Sequence, residues 1–242
     1  MIGPFAGIQD QINYFFPPET HPYRHLERSI DAYLKPEMTV LDIGCGRTAP
    51  NLIKLRGRAK SLYGVDLVDF KDTPGDLTLF NESVTDLGSF KDGIIDLAYS
   101  RSVMEHVEDA EAAYRQIFRV LSPGGHYLFL TPNRYDYASL IASMVPNRLH
   151  GRIVKATEGR DEIDTFPTCY QSNSFRRIRQ LSRQTGFSIV HLERLGQYPA
   201  YFTFSRPAFW LGSLYEKLLD RTPGLDALKG WIFCILEKPA NS

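Results

Sequence analysis

Short apolar runs alternate with stretches of helical spacing along most of this chain. The first helical pattern opens at Thr20-His21-Pro22, with proline in its first turn and Leu26, Ile30 and Leu34 on one face, and Pro36 ends it. After it the runs "TVLDIG", "SLYGVDL", "LTLFN", "IIDLAYS" and "HYLFLT" read as strands. Between them "PNLIKLRG" and residues 110–121 read as helices, the second with Ala110, Ala113, Tyr114, Ile117, Phe118 and Leu121 on one stripe and "SPGG" as its stop. This alternation predicts parallel βαβ units, an α/β fold. Further on, Asn173 or Ser174 can cap a helix that turns Phe175, Ile178 and Leu181 inward and closes at Gly186, followed by the strand "FSIVHLERL". Residues 201–230 carry an aromatic-rich helical pattern, and "WIFCILEK" is a closing strand.

Residues 146–172 are polar, punctuated and without a sustained period, which is long for a structureless connection unless it contacts a substrate or forms a lid. The expected organisation is one domain over residues 1–242, with an N-terminal helical cap over about 1–36 and a substrate-side insertion over about 134–172. Lys plus Arg and Asp plus Glu are equal at 28 each, so no net field draws the chain to nucleic acid. The three cysteines, Cys45, Cys169 and Cys234, show neither CxxC nor Cys/His spacing, which argues against a disulfide framework or structural zinc and fits a reducing cytoplasm. No secretory leader pattern opens the sequence, and runs such as "WIFCIL" fall short of the ~20 apolar residues of a membrane span.

The chemistry concentrates in "TVLDIGCGRTAPNLIKL". A strand ending in "DIGCG" and passing at once into a helix presents main-chain N–H groups with no side chain at Gly44 or Gly46 to hold a ligand away. The same pair also serves as a plain tight βα connection. Asp66 ends the second strand twenty residues after Gly46, where an acid can take ribose hydroxyls. A GxGxxG fingerprint would need glycine at 49; Ala49 stands there, a replacement the pattern tolerates, so a nicotinamide dinucleotide stays open.

"VLDIGCG", "YGVDL", "IIDLAYSRSVMEHVED" and "RVLSPGGHYLFLTPN", in that order over residues 39–133, resemble the class I S-adenosylmethionine-dependent methyltransferases. The resemblance implies a doubly wound, Rossmann-like seven-stranded sheet, mostly parallel with a reversed last strand, "WIFCILEK", and helices on both faces. It implies S-adenosyl-L-methionine as cofactor, with Gly44, Cys45 and Gly46 along its methionine part, Asp42 near its amino group, Asp66 on the ribose and Leu67 by the adenine. Ser83 and Val84 align where the adenine amine is met; Asp86, displaced from that place, is an alternative contact or a turn residue. Ser100 would offer its carbonyl to the amino group.

Methyl transfer from a sulfonium is an in-line displacement, so alignment supplies much of the acceleration and a base is needed only where the acceptor loses a proton. His106, with Glu105 beside it, stands at the rim after the fourth strand as candidate base, or as a structural pair. Relatives that bind a divalent ion there use Glu-x-x-Glu-His; this chain has Ser102 at the first position, which removes a hard oxygen ligand, so no metal is expected. Tyr14, Arg134 and His150 are candidate substrate contacts, with Arg152 and Arg160 near the last of them. Tyr14, Phe15 and Phe16 can close over the cofactor or tether the N-terminus to the core.

Arg176, Arg177, Arg179 and Arg183 line the outer face of the capped helix, as a solvated surface or an anion site. Phe202, Phe204, Phe209, Trp210 and Tyr215 can pack on the sheet or touch a membrane surface or lipid-linked acceptor. The expected activity is methylation of a small or carrier-linked acceptor, at a hydroxyl of a sugar, polyketide or lipid-like molecule. "YSRSVMEHV" stands where amine-methylating relatives of nucleic acids carry "NPPY", which with neutral charge disfavours nucleic acid. A nicotinamide-dependent oxidoreductase and a catalytically silent cofactor-binding partner protein are the competing classes.

Overall fold

Seven strands form one sheet in the order β3-β2-β1-β4-β5-β7-β6. The structure, a computed structural model, describes residues 7–137 and 166–241. The strands are β1 (Thr39–Ile43), β2 (Ser61–Asp66), β3 (Thr78–Asn81), β4 (Ile95–Arg101), β5 (Leu121–Pro132), β6 (Ser188–Leu195) and β7 (Trp231–Glu237). β3, β2, β1, β4 and β5 are mutually parallel. β7 runs against them: the Gly124 amide of β5 donates to the Lys238 carbonyl and the Lys238 amide to the Gly125 carbonyl, while Asn133, just past the other end of β5, donates to Gly230. This is the class I methyltransferase topology that the motifs imply.

The chain divides into two compact units, and the first, residues 26–131, 167–193 and 232–242, holds most of the sheet. Its central strands are buried on both faces, which is why they read as nearly continuous apolar runs. Side chains alternate along β1: Leu41 and Ile43 join the main core, while Asp42 faces the other way, the same side as Tyr99 across the β1–β4 ladder. Helices α2 (Pro22–Tyr33), α3 (Pro50–Lys54), α4 (Ala110–Val120) and α5 (Phe175–Thr185) contribute Leu26 and Ile30, Leu52, Ala113 and Ile117, and Ile178 and Leu181 to buried positions.

Ser174 Oγ accepts from the Arg177 amide and Gly186 donates to the Ser182 carbonyl, so α5 begins and ends where its local sequence dictates. "SPGG" ends α4 as expected but lies inside β5. There Ile95 faces Leu121 and Leu97 faces His126, so five steps of β5 answer two of β4 and the tetrapeptide is a bulge.

The second unit gathers residues 132–137 and 194–231 with the N-terminal residues through His25. Tyr14 and Phe15 sit on a helix of their own, α1 (Ile8–Phe15), which the spacing did not predict and which Asp10 caps by accepting from the Gly7 amide at 3.1 Å. Phe16 meets Phe209 edge-on at 6.3 Å, and the Lys217 ammonium lies over the Phe16 ring. The aromatic pattern condenses into α6 (Arg206–Arg221), which has two apolar faces. Phe209 and Leu219 are buried; Phe204, just before the helix, and Trp210, Leu211, Leu214 and Leu218 are each more than half exposed. Among the described residues no helix is long and apolar enough to cross a membrane.

Glu216 lies on the buried face of α6, only 2% exposed. Burial, then the neighbouring Asp136 charge, pushes its carboxyl up to about 8. Between its ordinary value and about 8 the folded chain therefore keeps a proton that the unfolded chain has lost, and stability falls as pH rises through that window. Glu216→Gln, neutral at every pH, is expected to raise Tm at pH 8.5 by about 4 °C or more and to change it little at pH 5, since roughly 1 kcal/mol shifts Tm by ~2–4 °C at this size. Equal shifts at the two pH values in a thermal scan would sink this assignment.

Candidate active site

The carboxyl ends of β1, β2, β3 and β4 bring together the sequence-predicted cofactor residues. Gly44 has φ +75°, and its amide and that of Cys45 both donate to the Val65 carbonyl, at 2.8 and 3.2 Å. A Cβ on Gly44 would stand 2.2 Å from Val103 Cγ2, so the turn is packed directly beneath the segment that follows β4. Gly46, also at φ +75°, has no atom within 4 Å of the place its Cβ would take. One glycine is thus demanded by packing, and the other faces open space where a ligand can lie on the main chain. Cys45 is turned the other way: its Sγ lies 2.7 Å from where a Cβ of Gly64 would be. Burial raises its thiol far above the ordinary range. The Cys45 side chain thus packs the turn against β2, and its backbone lies along the turn.

Asp66 ties the ends of β1 and β2. Its Oδ2 accepts from the Gly46 amide at 2.7 Å, and its Oδ1 accepts from Leu67 and Val68 at 2.7 and 3.3 Å. A carboxylate offers about four acceptor positions, so one on Oδ2 remains for a ribose hydroxyl. Leu67, next along, is exposed.

Asp42 is buried beneath the turn and accepts from the Tyr99 hydroxyl at 3.0 Å. Burial lifts its carboxyl to about 7, against the Tyr99 hydrogen bond and the Arg101 charge. An ammonium group nearby would hold it ionised. The bare main chain at Gly46, the Asp66 acceptor and the buried Asp42 together fit the polar groups of S-adenosylmethionine.

After β3, Ser83 forms a turn: its Oγ lies 2.8 Å from Thr85 Oγ1 and accepts from the Thr85 amide, and its carbonyl accepts from the Asp86 amide. Asp86 is exposed. The Val84 side chain belongs to the main core, so what it can offer a ligand there is its backbone. Ser100 is buried, its Oγ 2.6 Å from the Tyr127 hydroxyl.

Following β4, Glu105 is buried and works as a junction. Its carbonyl accepts from the Cys169 and Tyr170 amides, and its Oε2 accepts from Thr131 Oγ1, which in turn accepts from the Asn173 amide group at 2.7 Å. The His106 ring is partly exposed and its Nδ1 lies 3.0 Å from the Pro167 carbonyl oxygen. A carbonyl only accepts, so Nδ1 carries the proton and Nε2 the lone pair, with Glu105 Oε1 3.9 Å from Nε2. His106 thus presents Nε2 beside the buried Glu105 carboxylate at the rim that follows β4.

Tyr14 and Arg134, both exposed, lie in the second unit; the Arg134 guanidinium stands over the Tyr135 ring. His150, Arg152 and Arg160 fall outside the described residues. Tyr99, Val103 and Thr131 have no mark in the sequence, and Asn173 reads there only as a cap candidate. Among the described residues no three His, Cys, Asp or Glu side chains are grouped as a metal site would need.

A profile of the methyltransferase domain family matches residues 13–192. The chain is 25% identical over 214 residues to 24-methylenesterol C-methyltransferase 2 of Arabidopsis thaliana, covering 81% of this chain and 56% of that protein. It is 31% identical over 103 residues to phosphoethanolamine N-methyltransferase of Triticum aestivum, covering 39% of this chain and 20% of the relative. The chain thus spans about half the length of the curated sterol relatives it matches. Among solved structures, an S-adenosylmethionine dependent methyltransferase from Mesorhizobium loti superposes with a TM-score of 0.54 at 19% identity, over 87% of this chain and 96% of that one. That likeness is one of fold.

Proposed function

The chain belongs to the methyltransferase domain family, and from that premise we propose that it methylates a small lipid-like acceptor at a hydroxyl, with S-adenosylmethionine as donor. The observation that carries this reading is the glycine turn itself, closed at Gly44 by Val103, open at Gly46, and held by the Asp66 carboxylate. The donor supplies an electrophilic methyl group on sulfonium. The acceptor oxygen forms the new bond to that carbon, the carbon–sulfur pair departs onto sulfur, and the hydroxyl proton goes to His106 Nε2. Placement of the reactants provides most of the rate, and the base a further factor of roughly 10²–10⁴. A lipid-like acceptor is supported by the exposed apolar face of α6, which also suits a peripheral membrane contact. The sterol-methylating relatives point the same way.

Thermal shift with S-adenosylhomocysteine and NADH, then transfer of labelled methyl to a panel of sterols, long-chain alcohols and phosphoethanolamine, tests the proposal. Stabilisation by NADH alone would overturn the cofactor, and transfer confined to phosphoethanolamine would overturn the acceptor class. His106→Gln is expected to lower kcat by roughly 10²-fold and to flatten the rise of kcat with pH, leaving S-adenosylhomocysteine affinity unchanged. An unaltered pH profile would remove His106 from the proton's path.

A further inference from the structure

The methyl-transfer site uses none of the arginines of α5, of which Arg179 lies over the Phe175 ring at 5.3 Å. The helix carries Arg176, Arg177, Arg179 and Arg183 and no acidic residue in its first turn, where the helix dipole favours negative charge and disfavours the first two of these. None of the four has an ion-pair partner among the described residues, and on the adjoining β6 Glu193 pairs with His191 at 2.9 Å.

A cleft of about 350 Å³ lies along α5 and β6, lined by Arg179, Ser182, Arg183, Phe187, Ile189 and Leu192. Ser182 is 1% exposed, and its hydroxyl has no hydrogen-bond partner, although a helical serine commonly donates back to the preceding turn. The cleft therefore joins three kinds of wall: an apolar floor, two exposed guanidinium groups and one buried hydroxyl. Those are complementary to a molecule with an apolar tail and an anionic head. Its volume is at the lower end of the ~300–1,000 Å³ of small-molecule sites, enough for one short chain.

We propose that this cleft binds an amphiphilic anion. A short acyl or prenyl chain lies on Phe187, Ile189 and Leu192, its carboxylate or phosphate is held by Arg179 and Arg183, and the Ser182 hydroxyl donates to the same head group. The site stands apart from the cofactor turn and does not depend on the methyl-transfer reading.

Calorimetric titration of the whole chain with octanoate, octyl phosphate, octanol and inorganic phosphate, all below micelle-forming concentrations, tests it. At least one of the chain-bearing anions is expected to bind at a single saturable site, at least tenfold more tightly than octanol; which of the two binds better identifies the head group. Arg179→Gln with Arg183→Gln should weaken that binding at least tenfold while leaving the S-adenosylhomocysteine-induced rise in Tm intact. Arg176→Gln, on the same helix but outside the cleft, should leave binding unchanged. Equal affinity for octanol, full displacement by inorganic phosphate alone, an equal loss in Arg176→Gln, or an unaffected double variant would each overturn the proposal.

Discussion

Asp66→Ala is expected to weaken S-adenosylhomocysteine binding by roughly 10- to 150-fold, the equivalent of losing one charge-assisted hydrogen bond of ~1.5–3 kcal/mol. The carboxylate does two things at once. It offers an acceptor to the ribose, and it holds the amides of Gly46, Leu67 and Val68 in place. Asp66→Asn separates them, because one amide oxygen can keep part of the backbone network while the negative charge is gone. Titration calorimetry on both variants should give the larger loss for alanine. Wild-type affinity in Asp66→Ala would mean that the sugar is not held there.

Gly44→Ala should be the most damaging single substitution in the turn. A left-handed alanine costs ~1–2 kcal/mol and the collision with Val103 a further ~1–3 kcal/mol. The sum corresponds to a fall in Tm of roughly 5–15 °C. Val103→Ala in the same chain should restore the steric part and not the conformational part, a non-additivity that a double-mutant cycle on Tm reads directly. A Gly44→Ala protein as stable as the parent would show that Val103 does not close on this turn.

What could be read in the sequence was local. Ser174 and Gly186 mark the ends of α5 because a cap and a left-handed close act within four residues of themselves. The "DIGCG" turn and the acid at 66 were legible for the same reason: a strand, a tight turn and a helix are contiguous. Contacts between distant positions left no such mark. Tyr99 and Asp42 are 57 residues apart and meet only because β1 and β4 pair in a particular register. The orientation of Cys45 depends on Gly64, a glycine inside a strand whose purpose shows only when β1 and β2 lie side by side. "SPGG" was read correctly as a helix stop, yet a bulge is a relation between two strands and has no signature in one. In α6 two apolar faces overlay one another in the sequence, so its period did not tell which aromatic residues are covered and which are not.

The Glu105 junction carries a consequence for how such a scaffold can diversify. Thr131 and Asn173 are 42 positions apart, yet they are hydrogen-bonded to each other and, through Thr131, to one buried carboxylate. A change at either position therefore reaches the carboxylate beside His106, so drift in two remote parts of the sequence is coupled at one buried point.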